Sequence, residues 1–242
     1  MTLPCLGNRA LKMVSIMDME KYLSAAGADW DSGPEAGEWI GPLLDGFSDL
    51  LGHAVPAGYE QYAIIPIPRS KEDPEQQDIF ALKALIEELR KFTGEQTVHT
   101  ALWEGWGWLY AHGLDPRTAP GAAGYVAGGA AAGDSQGVPD WFAVTRVERP
   151  NVRPLQLPNR NYYLWSGPLD SALALGHHDN FPSLIWPDDR SWFVGIPIYS
   201  AEMALGADAR IIEAILSSPS MRKLGARRAG RDEALPYVDD ED

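Results

Sequence analysis

The chain has 242 residues, 45% hydrophobic and 22% charged, with 34 acidic against 20 basic residues and a net charge of −14. A chain this long buries roughly 70–75% of the surface its unfolded form exposes, so a full core is available. The charge argues against nucleic acid as a primary partner, because phosphate binding relies on clustered cations, and no stretch approaches the ~18 consecutive apolar residues of a membrane span.

Cys5 is the single cysteine. No intramolecular disulfide is therefore possible, and a reducing cytoplasm is the expected compartment. Asn8, Arg9 and Lys12 interrupt the apolar residues at the start, leaving no continuous core for an export signal. Met13, Met17 and Met19 are alternative starts. Residues 1–38 are read as an N-terminal extension, with the Gly-, Asp- and Pro-rich stretch 27–38 irregular.

A single α+β domain is expected over 39–220. Trp39, Ile40, Leu43, Leu44, Phe47, Leu50 and Leu51 recur at helical spacing, but Pro42 and nearby glycines predict a short or broken helix. YAIIPIP (62–68) reads as a strand whose prolines confine it to a sheet edge or a strand end. A helix is predicted over 74–92, with Asp73 as its cap, Pro74 at its first position and a stripe of Ile79, Leu82, Leu85, Ile86, Leu89 and Phe92; Gly94 ends it. Residues 98–110 begin as a half-buried strand that bends at Gly105 or Gly107. The segment 112–139 is rich in Gly and Ala and nearly free of charge, as in a mobile loop.

Three β-prone runs follow at 141–148, 152–157 and 161–166, as in a meander. Pro168 opens a short helix that Gly176 can end. A strand pair is predicted at 183–186 and 191–199, then a helix at about 207–217, then a charged, self-neutralising tail over 221–242. Strands grouped in runs with a few helices between them predict an α+β fold built on a mainly antiparallel sheet.

Little recognisable chemistry is present. The glycine-rich stretch 121–133 has no lysine and no phosphate-cradle pattern. No G-x-S-x-G occurs, and the S-x-x-K of Ser220 to Lys223 lacks its companion motifs. His177, His178 and Asp179 follow a helix end, where such side chains bind exposed carbonyls, and they lack metal-ligand spacing. No catalytic residue, metal or cofactor is therefore assigned.

The aromatic content carries the strongest signal, nine tryptophans in all. Most are read as core anchors. In WEGWGW the glycines beside Trp103, Trp106 and Trp108, with Glu104 among them, also suit a stacking platform for a ligand or a partner. In LIWPDDRSWFVGI (184–196) Pro187 and Asp188 suit positions i+1 and i+2 of a type I turn joining two strands. The second strand then places Trp192, Val194, Ile196 and Ile198 on one face, and Ser191, Phe193, Gly195 and Pro197 on the other. Asp188 and Asp189 fall at the hairpin tip, where Arg190 would hold both ionised.

LWEGWGWL (102–109), YYLWSGPLDSALAL (162–175) and PSLIWPDDRSWFV (182–194) resemble the motifs of an uncharacterised protein family of high-GC Gram-positive bacteria. The match lies in Trp103 to Trp108, in Gly167, Pro168 and Leu169, and in Trp186, Pro187, Asp188, Asp189, Arg190 and Trp192. It spans roughly 55–216 and carries no activity. Where the family would place an acidic pair, this chain has Ile196, Pro197, Ile198 and Tyr199.

Two functions are open on this reading. One is a non-enzymatic cytosolic protein of accessory or immunity type, whose acidic surface meets a basic protein partner. The other is a small-ligand binder or enzyme with a pocket lined by Trp103, Trp106 and Trp108, with Glu104, Asp188, Asp189 and Arg190 as its polar groups. It requires the two tryptophan motifs to share one concave surface.

Overall fold

The computed structural model describes residues 16–68, 79–106, 150–158, 160–175, 182–198 and 200–235. Cys5, Asp73, Pro74, Trp108, the loop 112–139, the strand expected at 141–148 and His177 to Asp179 lie outside them. The chain divides into two compact units, Met1–Met19 with Gly105–Arg149, and Glu20–Glu104 with Pro150–Asp242. Every described strand belongs to the second unit.

The elements in order are α1 (Ile16–Ala25), β1 (Asp29–Trp30), α2 (Leu51–Ala54), β2 (Gln61–Pro66), α3 (Phe80–Thr93), β3 (Val98–Trp103), β4 (Leu155–Leu157), β5 (Arg160–Gly167), β6 (Leu184–Pro187), β7 (Trp192–Gly195), β8 (Glu202–Ala207), α4 (Ala209–Ser217), α5 (Pro219–Leu224) and β9 (Arg227–Ala229), with short 3-10 turns at Glu35–Gly37, Gly41–Leu43 and Leu169–Leu173. The strands form one nine-stranded sheet in the order β1-β5-β3-β6-β7-β8-β2-β9, with β4 added on β5. Every pairing is antiparallel. The fold is α+β, as the grouping of strands predicts.

Each face of the sheet buries a different layer. On one face Leu82, Leu85, Ile86 and Leu89 of α3 and Ile211, Ile212 and Ile215 of α4 pack on Val98, Ile185, Trp192, Val194 and Leu205. Both helices follow from local sequence. The stripe on α3 is the expected one, and Gly94 ends that helix at φ +62°, a backbone region that favours glycine. Asp208 caps α4 by accepting a hydrogen bond from Ile211 N at 2.7 Å. On the other face a largely irregular layer, including Trp39, Ile40, Leu51 and Val55, covers Ala101, Leu164, Trp186, Phe193 and Ala204.

Several elements depart from expectation. The helical spacing over 39–51 yields only the turn Gly41–Leu43 and the single helical turn α2, and Leu43 and Phe47 are exposed. β2 is flanked on both sides, by β8 and β9, so its prolines mark a strand end and not a sheet edge. β8 was not expected at all. Its sequence, EMALGA, is poor in β-branched residues and buried along nearly its whole length, so neither propensity nor alternation betrays it.

The segment read as a charged tail is folded through Leu235. Arg231 Nη1 donates to the Val55 carbonyl at 2.7 Å, and Leu51 N donates to the Glu233 carbonyl at 2.9 Å. Its charges do pair, Arg227 with Glu233 and Arg228 with Glu213, but β9 is registered on β2 from Tyr62 to Ile64.

Beneath α3, Trp192 Nε1 donates to Thr93 Oγ1 at 3.1 Å, and both groups are buried. Thr93→Val is expected to strand that indole N–H and cost about 1–3 kcal/mol in urea unfolding. A valine variant as stable as the parent would show that the N–H finds another acceptor.

Candidate functional site

Antiparallel register places directly opposed residues on one face. Asp29 pairs with Ser166, Ser166 with His99, and His99 with Trp186. The result is a polar row on the irregular-layer side, at one end of the sheet. His99 Nδ1 lies 2.7 Å from Ser166 Oγ, and Ser166 Oγ donates to Asp31 Oδ2 at 2.9 Å. On its other edge His99 Nε2 lies 2.7 Å from Asp188 Oδ1. The His99 side chain is 13% exposed and that of Asp188 55%, so the chain of bonds runs from the protein interior to solvent.

Two proton arrangements satisfy these heavy-atom positions. With Ser166 donating to an ionised Asp31, its oxygen accepts from Nδ1–H, and His99 is an imidazolium between two carboxylates. With the proton on Asp31, Ser166 donates to a neutral His99, which still donates through Nε2 to Asp188. In both, the Ser166 hydroxyl and both imidazole nitrogens are consumed internally. The set has the residue types of a hydrolase triad, with the Ser166 oxygen also 2.9 Å from Asp31.

Burial raises the Asp31 carboxyl above its ordinary 3.8, against the lowering effects of the Ser166 hydrogen bond and of His99. The folded chain thus holds this proton more tightly than the unfolded one. The associated stability is present below about pH 3.8 and is lost as pH rises through the raised value. Asp31→Asn keeps an acceptor for Ser166 and removes the buried charge. Its thermal midpoint relative to the parent is expected to be higher near pH 7 than near pH 4; a pH-independent difference would refute the assignment.

The hairpin tip is braced rather than free. Arg190 N donates to the Pro187 carbonyl at 2.9 Å, so Pro187 is the first residue of the turn, and Asp188 and Asp189 are its centre. This moves the expected turn on by one residue, because Pro187 is still paired with Val98 in the sheet. Asp188 N donates to the Thr97 carbonyl, and Asp189 N to Gln96 Oε1, both at 3.0 Å. Although burial works to raise the Asp189 carboxyl, hydrogen bonds from Ser191 and Gln96 outweigh it and hold the carboxyl below its usual range.

Arg190 does not do what the sequence suggests. Among the described residues it makes no ion pair with either aspartate. It takes φ +56° and lays its guanidinium 4.6 Å from the centre of the Trp39 ring. Trp39 in turn meets Trp186 and Phe193 edge-on, with ring centres 6.4 and 5.9 Å apart.

Within the second unit the described tryptophans of the two motifs do not share one concave surface. Trp186 and Trp192 are 1% and 0% exposed, and they pack in the cores on opposite faces of the sheet. Trp103, half-buried at the end of β3, lies on the Trp186 side, where it packs against the same core. Glu104 N donates to the Asn161 carbonyl at 2.9 Å. Trp106 belongs to the first unit.

On the Trp103 side a shallow groove, open to solvent, lies between α2 and the start of β5. His53, Ala54, Arg160, Tyr162, Ser183 and Leu184 line it. Alternation along β5 turns Arg160, Tyr162, Leu164 and Ser166 to one face, so the groove and the His99 row occupy opposite ends of the same strand, ~20 Å apart at ~3.3 Å per residue.

The Arg160 guanidinium lies 5.7 Å from the ring centres of both Trp103 and Phe47. Burial pushes the Tyr162 hydroxyl up, and burial followed by the charge of Arg160 pushes His53 below the ordinary imidazole value. Both are therefore uncharged near neutrality. The Ser183 hydroxyl is buried with no hydrogen-bond partner among the described residues.

No three His, Cys, Asp or Glu side chains among the described residues cluster so as to hold a metal ion, and no described helix is long and apolar enough to cross a membrane. No family model, curated protein or solved structure matches the chain.

Sequence reasoning missed His99, Ser166 and Asp31, and also Arg160, Tyr162 and Ser183. The first three stand 67 and 135 residues apart in their two contacts. Only strand register unites them. The available signal was narrow: a histidine alternating with the core residues of VHTALW, and an arginine two residues ahead of the core tyrosine in RNYYLW.

Proposed function

We propose that the chain is a small-ligand-binding protein of the cytosol, with the groove beside Arg160 as its site. One contrast carries this reading. The Ser166, His99, Asp31 and Asp188 groups hydrogen-bond one another, whereas the Arg160 guanidinium at the groove has no carboxylate partner among the described residues. An apolar concavity with a few convergent polar groups suits recognition.

A second reading, a non-enzymatic accessory or immunity-type protein, is favoured by the hairpin tip. Its two carboxylates are held in place by four backbone and side-chain bonds, on a chain of net charge −14. A pre-organised acidic surface suits a basic protein partner, and the same charge sets nucleic acid aside.

Native mass spectrometry beside denaturing mass, on protein purified gently from its own cytoplasm, separates the two. The expected result is a small molecule retained under native conditions and lost on denaturation. A stoichiometric protein partner with no small molecule would overturn the first reading in favour of the second.

A further inference from the structure

We infer that the row Asp31, Ser166, His99 and Asp188 is a one-proton switch. While it holds its full set of hydrogens the Asp188 carboxylate is kept against the sheet, and loss of one proton turns that carboxylate out to solvent at the hairpin tip. None of these residues lines the groove, so the switch stands or falls apart from the ligand-binding reading.

The row contains three hydrogen bonds and therefore needs three hydrogens. The Ser166 hydroxyl supplies one. The other two are exchangeable, and they sit together on His99 or are divided between His99 and Asp31. Remove one, and a neutral His99 stands beside an ionised Asp31, with two hydrogens left for three bonds. One bond has to fail.

Burial decides which. If the remaining imidazole hydrogen sat on Nε2, Nδ1 and the Asp31 carboxylate would compete for the single Ser166 hydrogen. Among the described residues Ser166 is the one side chain that hydrogen-bonds Asp31, and burial is the largest influence on that carboxyl. An ionised Asp31 without a donor is therefore the costlier outcome. With the hydrogen on Nδ1, His99 donates to Ser166 and Ser166 to Asp31, and the bare Nε2 is left facing Asp188 Oδ1. Two acceptors then meet with no hydrogen between them. The Asp188 side chain is 55% exposed, so it can turn to water.

The rest of the tip stays in place. Asp188 N and Asp189 N keep their bonds to the Thr97 carbonyl and to Gln96 Oε1. The imidazole lies against the Trp186 ring, 5.5 Å between centres and 31° between planes, which opposes a flip that would exchange its nitrogens. The other charged groups around the row are Asp29 and Glu35, the latter paired with Arg153, and Asp189 and Arg190 at the tip. Arg190 rests on Trp39, and Ser191 and Gln96 hold Asp189. Among the described residues no lysine or arginine bonds to the row, so nothing there replaces the lost proton. Above the switch the tip presents two carboxylates to solvent; below it, His99 takes up one of them.

The test follows the five histidines of the full chain by long-range proton–nitrogen NMR, which reads the tautomer, together with the Asp188 side-chain carboxyl carbon, from about pH 5 to about pH 9. His99→Gln assigns the His99 signals. In the parent the neutral imidazole is expected to carry its hydrogen on Nδ1, and the Asp188 signal to shift with the same midpoint. Asp31→Asn offers Ser166 an amide hydrogen in place of the lost proton, and Ser166→Ala removes the competition. In both, the neutral imidazole should keep its hydrogen on Nε2, and the Asp188 step should be much reduced. The remaining resonances of each variant report whether it folds, and the parent's own tautomer decides if one does not.

A parent His99 that becomes neutral with its hydrogen on Nε2, or that keeps one charge state across the range, would overturn the switch. So would an Asp188 signal that does not follow His99, or folded variants that keep the parent's tautomer.

Discussion

Replacing Trp186 with alanine is expected to lower the stability of the folded chain by about 3–5 kcal/mol, the range found for removing a large aromatic side chain from a core. Trp186 is buried, lies nearly parallel to Phe193 with ring centres 5.8 Å apart, meets Trp39 edge-on and stands 5.5 Å from His99. The loss is a large share of the roughly 5–15 kcal/mol that holds a typical domain together. The urea midpoint should fall with an unchanged slope, since the same surface unfolds. Trp186→Phe, which keeps a ring in the stack, should recover about half of the loss. A loss under about 1 kcal/mol for the alanine variant would mean that this indole does not pack as described. The experiment bears on function too, because a residue this buried can support the hairpin and His99 but cannot touch a ligand.

Gly195→Ala is expected to cost about 1–3 kcal/mol and to weaken the groove at the same time. A β-carbon at Gly195 would overlap the carbonyl oxygen and carbon of Ala54. These are backbone atoms, so no side-chain rotation relieves the clash. Either α2 lifts from β7 or the strand bends. Ala54 and His53 both line the groove, so a shift of α2 opens one wall. Gly46→Ala is the control. A β-carbon there meets nothing within 4 Å, and the substitution should be close to neutral. Equal stability of the two variants would remove the close approach of α2 to the sheet as an explanation for glycine at position 195.

Taken together, these two substitutions separate support from recognition. Trp186 carries the polar row and the braced tip from beneath. Gly195 admits the helical turn that shapes the groove. Neither would be chosen from a list of chemically reactive residues, yet the site depends on both.

The sequence by itself determined what depends on neighbours along the chain. The apolar stripe of α3, the helix near 207–217, the hairpin between β6 and β7 and the opposite orientation of Trp192 and Phe193 all follow from periods of 3.6 and 2 and from local turn chemistry. The grouping of strands was enough for the α+β class. Only the tertiary structure decided the rest. β8 escapes because a strand buried on both faces shows no alternation, and β9 because three residues, two of them charged, carry no periodic signal before they pair with β2. Asp31, His99, Ser166 and Asp188 become one chain of hydrogen bonds through the register of antiparallel strands, and His53 and Arg160 line one groove because α2 packs beside the start of β5. Register is set by how two faces of a sheet are buried at once. That is a property of the whole sheet, and it leaves no mark on any single stretch of the sequence.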